Sequence, residues 1–249
     1  MLPFLRDQAD EVRRAAGLAV LWDAQHRWFE IRSEIRLALS EPHAAKDGPL
    51  PCSAGLPQAA IDDLVMWSSE SGPVGLRSTQ TLVRLCKKAI LEDGSAEAIA
   101  RVTSLVVNVK VPAAIRVELA HRLKDADQFE PTVAAKLLGP ANPTMLRLLA
   151  AGALLALHED RRALDVVKEV AQQPNREISL AAAKIIQKHL GVDMGLPMGG
   201  ELPATNTRQA AEVARRVLFW ATKEGSQAEL DTPPDGVPLA KSSEPESDW

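Results

Sequence analysis

The strongest constraint on this chain is a pattern that it repeats. Residues 143–155, PTMLRLLAAGALL, return thirty-one positions later as residues 174–186, PNREISLAAAKII, and His158 and His189 keep the same step. Between the two copies, Ala163, Leu164, Val166, Val167, Val170 and Ala171 fall at the spacing that turns one side of a helix toward a core. The repeating object is therefore helix, short turn, helix. Such a hairpin cannot bury its apolar sides alone, so the pattern predicts stacking on near-copies of itself, as in a solenoid.

Composition supports helices over sheets. Tyrosine is absent and aromatics make up 4% of the residues, while alanine and leucine dominate, which favours closely packed helices. The expected fold class is all-α. The formal net charge of -4 is unevenly placed. Residues 224–249 hold seven acids against Lys241, so the remainder is close to neutral, without the bulk basic charge that marks a nucleic-acid binder. Cys52 lies in a proline- and glycine-rich loop and Cys86 in a helical run, a pair with no disulfide signature. The amino terminus lacks the basic start, apolar run and small-residue site of a leader, and no stretch approaches the length of a membrane span. The expectation is a cytoplasmic protein with no membrane segment.

The segment Glu11-Val12-Arg13-Arg14-Ala15-Ala16, after a polar turn carrying Asp7 and Asp10, resembles the second-helix signature of HEAT repeats and their bacterial HEAT-like relatives. The resemblance recurs at residues 147–155 and 176–186. Pro73, Pro112 and Pro143 each precede an arginine by four positions, at Arg77, Arg116 and Arg147. Proline suits a first helical turn, and arginine can reach along a stack to a carboxylate or carbonyl. The resemblance implies an α-solenoid of HEAT-like hairpins that serves as a non-enzymatic scaffold, binding a protein partner on the concave surface of its second helices. It also leaves a second class in view, because glycosylase and lyase activities occur on HEAT-like scaffolds; fold alone does not choose between them.

Along the chain, residues 1–39 read as an incomplete first repeat and a following helix, either a shortened cap or the start of a piece cut from a longer array. Residues 40–57 contain Pro42, Gly48, Pro49, Pro51, Gly55 and Pro57 and read as a linker. Residues 58–190 hold the helical repeats, expected at 58–69, 76–90, 96–109, 113–123, 131–138 and 161–172 around the copies already described. Residues 191–223 read as an extended loop and a capping helix, N-capped by Asn206, whose apolar face is Ala210, Val213, Ala214, Val217, Leu218 and Ala221. Residues 224–249 are expected to be disordered.

Two sets of residues are candidates for an interaction surface. Arg147, Arg176, Lys184 and Lys188 belong to the repeated copies. Arg27, Arg32 and Arg36 interleave with Trp22, Trp28, Phe29, Ile31, Ile35, Leu37 and Leu39 in an expected helix over 22–39, an aromatic and basic mixture of the kind that holds single-stranded nucleic acid. The competing reading packs those aromatics inward and leaves the arginines solvated. The glycine-rich stretch 191–203 fails as a phosphate loop: it has no Gly-Lys-Ser/Thr ending, no preceding strand, and Glu201 would repel an anion. Five histidines, His26, His43, His121, His158 and His189, form no metal-binding pair in sequence, and no catalytic constellation, metal site or cofactor motif is expected.

Overall fold

The computed structural model describes residues 4, 7, 9–40, 56–157, 160–197 and 201–222. Among the described residues the chain forms ten α-helices and no strand, as its composition predicts. They are α1 (Asp10–Ser40), α2 (Gln58–Ser68), α3 (Pro73–Lys88), α4 (Ala96–Val107), α5 (Ala113–Asp125), α6 (Pro131–Leu137), α7 (Thr144–Leu157), α8 (Arg161–Ala171), α9 (Arg176–Leu190) and α10 (Arg208–Thr222). A π-helical turn, Ala89–Asp93, extends α3. The expected linker over 40–57 and the acidic tail over 224–249 lie almost wholly outside the described residues, as does His158.

The chain divides into two compact units, residues 1–154 and 155–249, a division that falls inside the stretch 58–190 read from sequence as one array. In the first unit α2 packs against α3, and both meet α1; α3 also meets α5, and α4 packs on α5, α6 and the π turn. The core is aliphatic, built on Ile35, Leu39, Leu64, Leu82, Leu119 and Leu146, each fully buried. In the second unit α8, α9 and α10 each touch the other two. The helix expected over the end of residues 191–223, α10, packs on both α8 and α9.

Local chemistry explains the helix starts. Gly72 takes φ +87°, a backbone state that glycine tolerates, and Pro73 then opens α3. The Asp160 carboxylate caps α8 by accepting from the N–H groups of Arg162 and Ala163, and the Asn175 side chain caps α9 by accepting from Glu177 and Ile178. The two copied segments share a register of burial: Leu149, Ala151 and Leu154 are buried in α7, and their counterparts Leu180, Ala182 and Ile185 are buried in α9.

Three boundaries differ from the sequence reading. The helix expected over 22–39 belongs to the longer α1, whose helical geometry breaks at one residue, Arg27, with φ -133° and ψ 23°. The run expected over 76–90 starts earlier, at Pro73, and changes to π geometry at Ala89. At α10 the cap is Thr207, not Asn206: the Thr207 hydroxyl accepts from Ala210 N–H at 3.1 Å. The buried side of α10 also differs from the expected face at two positions, since Leu218 is exposed and Trp220 is buried.

Candidate interaction surface

Three arginines of the first unit, the buried Arg116 and Arg147 and the half-buried Arg77, share one kind of partner. Arg77, Arg116 and Arg147 each donate to a backbone carbonyl at the end of an earlier helix. Arg77 Nη1 reaches Leu39 O at 2.6 Å, Arg116 Nε reaches Val106 O at 2.7 Å, and Arg147 Nε reaches Leu138 O at 2.9 Å. The last carbonyls of a helix have no partner within it, and a guanidinium there satisfies one of them while meeting the negative end of the helix dipole. Arg116 also donates to Asn142 Oδ1 at 2.6 Å, and burial pulls its guanidinium below its ordinary pKa. Arg147, expected on the interaction surface, is buried at 5% exposure and clamps two helices instead. The proline at the start of each helix sets the arginine one turn in, from where Arg116 and Arg147 reach the end of the preceding helix and Arg77 reaches the end of α1, two helices back.

The exposed arginines Arg27, Arg32 and Arg36 lie on α1. Arg27 bonds to Glu30, with its Nε 2.8 Å from the carboxylate; Arg36 Nη2 lies 2.6 Å from Glu70, and Arg32 Nη1 lies 3.9 Å from Asp63. Each guanidinium of this face therefore has a carboxylate beside it. The aromatic part of the expected patch divides as well. Trp28 is 3% exposed, donates its indole N–H to Asp63 at 2.6 Å, and lies 6.3 Å from the ring of Trp67. Phe29 is 72% exposed, with the Arg32 guanidinium 5.5 Å from its ring. The sequence placed Arg32 and Arg36 on one surface but carried no signal for Asp63 and Glu70, which come from α2 and from the turn after it.

In the second unit, Arg176, Lys184 and Lys188 are all exposed on α9. Arg176 Nη1 donates to Thr205 O at 3.0 Å and ties the start of α9 to the segment before α10. Its role differs from that of Arg147 because the thirty-one-residue step places Ile178, not Arg176, opposite Arg147. Lys184 and Lys188 stand one turn apart and form no ion pair among the described residues. The glycine-rich segment after α9 is occupied by its own side chains. Gln187 Oε1 accepts from the N–H groups of Met194 and Leu196, and Asp193 accepts from Gly195, so those donors do not face an incoming anion. Met194 and Leu196 are buried beneath it. Gly199 and Gly200 lie outside the described residues.

Fold and site together define an all-helical protein in which Arg77, Arg116 and Arg147 join helices and in which Lys184 and Lys188, on α9, form no ion pair among the described residues. Compared with family models, with curated proteins and with solved structures, the chain matches none. Among the described residues no helix is long and apolar enough to cross a membrane.

Proposed function

We propose that this chain is a HEAT-like α-solenoid of helical hairpins, acting in the cytoplasm as a non-enzymatic scaffold that docks a protein partner on the concave surface of its second helices. The observation that carries the reading is the recurring bond from an arginine, four positions after a proline, to the terminal carbonyl of an earlier helix at Arg77, Arg116 and Arg147. A device reused with the same spacing from proline to arginine fits an array of similar units. Lys184 and Lys188, exposed and without an ion pair among the described residues, support a docking face on α9 for an acidic partner surface, because complementary charge steers association and fixes register.

Affinity capture from native lysate with the wild-type chain and with Lys184→Glu/Lys188→Glu tests this. The expected result is an acidic protein retained by the wild type and lost from the variant, with an unchanged circular dichroism spectrum. A captured set that the charge reversal leaves intact would remove α9 as the docking face. The second reading, a nucleic-acid or enzymatic module, rests on Arg27, Arg32 and Arg36 beside the exposed ring of Phe29; the carboxylates at Glu30, Asp63 and Glu70 weigh against it.

A further inference from the structure

A cleft of about 240 Å³ opens in the first unit between α2, α3, the π turn and α4. Its floor is Ile61, Leu85, Cys86, Val102 and Leu105, all buried, and its rim carries Asp93, Ser95, Glu97 and Arg101. Protein interiors seldom leave space of this size between packed helices, and a dry cavity of about 150 Å³ already takes up benzene. The cleft therefore has room for an aromatic ring and a short arm.

The π turn gives the rim its charge. Its wider winding closes with the bond from Gly94 N–H to Ala89 O at 2.9 Å, and Gly94, at φ +61°, reverses the chain so that α4 begins across the cleft. Asp93 is left at the mouth, where its carboxylate accepts from Ser95 N–H at 3.3 Å and has no cation beside it among the described residues. Arg101, by contrast, donates to Leu56 O and to Glu97, each at 3.4 Å, so its charge is already met. The unbalanced charge at the mouth is that of Asp93. Burial pushes the Cys86 thiol up to about 12, which keeps it protonated at neutral pH and makes the floor a polarisable surface with no nucleophile.

We propose that this cleft binds a small arylalkyl or alkyl ammonium ion, with the apolar body against Leu85, Cys86, Val102 and Leu105 and the ammonium at the Asp93 carboxylate. Calorimetric titration of the full chain with phenethylammonium, 2-phenylethanol and 3-phenylpropionate separates the contributions. Phenethylammonium binds saturably at millimolar concentration, tighter than the neutral alcohol by about two- to fivefold, the range of an exposed ion pair. Asp93→Asn, a change at an exposed position, abolishes that preference and leaves the affinity for 2-phenylethanol unchanged. Tighter binding of the carboxylate probe, an ammonium preference that survives Asp93→Asn, or no saturable binding of any of the three would each overturn the assignment.

Discussion

A β-carbon at Gly75 would run into the backbone carbonyl of Glu70, in the turn that joins α2 to α3. Replacing glycine by alanine within a helix ordinarily favours folding by about 1 kcal/mol, but a backbone carbonyl cannot rotate aside as a flexible side chain can. Gly75→Ala is therefore expected to destabilise the first unit by about 1–3 kcal/mol, the usual range for overpacking; an unchanged or raised urea midpoint would show that the turn yields. The arginines separate in the same way. Arg116→Met strips the buried Val106 O and the half-buried Asn142 of their donor and is expected to cost about 1–3 kcal/mol, whereas Arg176→Met, at an exposed site, changes stability by roughly 0.5 kcal/mol or less. Equal shifts in the two variants would remove the distinction between clamp and surface residue. The spacing from proline to arginine is visible in sequence and points to a reach toward a neighbouring helix. Which carbonyl receives the bond is not visible, because guanidinium donors match any carbonyl that tertiary packing delivers, and Arg147 and Arg176 look alike until the thirty-one-residue step is followed through to Ile178.

Helix ends show how a short-range signal can be right in kind and wrong by one residue. Asn206 and Thr207 are both good N-caps, and the choice depends on which residue's oxygen lies under the N–H three positions on; Thr207 meets Ala210. Thr207→Ala is expected to lower stability by about 1 kcal/mol and Asn206→Ala by a few tenths at most. A larger loss at Asn206 would restore the sequence reading. At α8 the cap is a carboxylate, and this gives a pH dependence of known sign. The side-chain hydrogen bond from Arg162, with the backbone N–H groups of Ala163 and Arg162, holds the Asp160 carboxyl below its ordinary range against the opposing effect of burial. A depressed folded-state value means that the stabilisation is complete above the unfolded value, about 3.9, and is lost as pH falls through the folded one. Asp160→Asn keeps an accepting oxygen but has no proton to bind, so the stability difference between wild type and variant should shrink below about pH 4. A difference that stays constant down to the acid transition would mean that Asp160 titrates alike in both states. Existence and type of most helices followed from the apolar period, since burial of one side dictates it. The π turn at Ala89–Asp93 did not, because one additional residue per turn leaves almost no trace in a five-residue window.

For the whole chain, charge decides between the two readings of its surface. A net charge counts residues, while a polyanion responds to cations that have no carboxylate beside them, and on α1 Glu30, Asp63 and Glu70 occupy the places that phosphates would need. Composition could not show this, because Asp63 and Glu70 lie roughly thirty residues or more from the arginines they face and meet them only once α1 and the α2 hairpin have packed. The aromatic half of the patch follows the same logic: Trp28 enters the core, where its indole N–H finds Asp63, which removes a stacking surface, while Phe29 stays exposed. The expected outcome in fluorescence anisotropy with labelled single-stranded DNA or RNA is no saturable binding at low salt. Submicromolar binding that weakens steeply as salt rises would instead report phosphate neutralisation and reinstate the nucleic-acid reading. The double variant Asp63→Asn/Glu70→Gln makes the comparison internal, because it uncovers Arg32 and Arg36 without adding a cation. If the carboxylates are what exclude a polyanion, weak salt-sensitive binding appears only in that variant, and its absence there would mean that the geometry of α1, and not its pairing, keeps nucleic acid away.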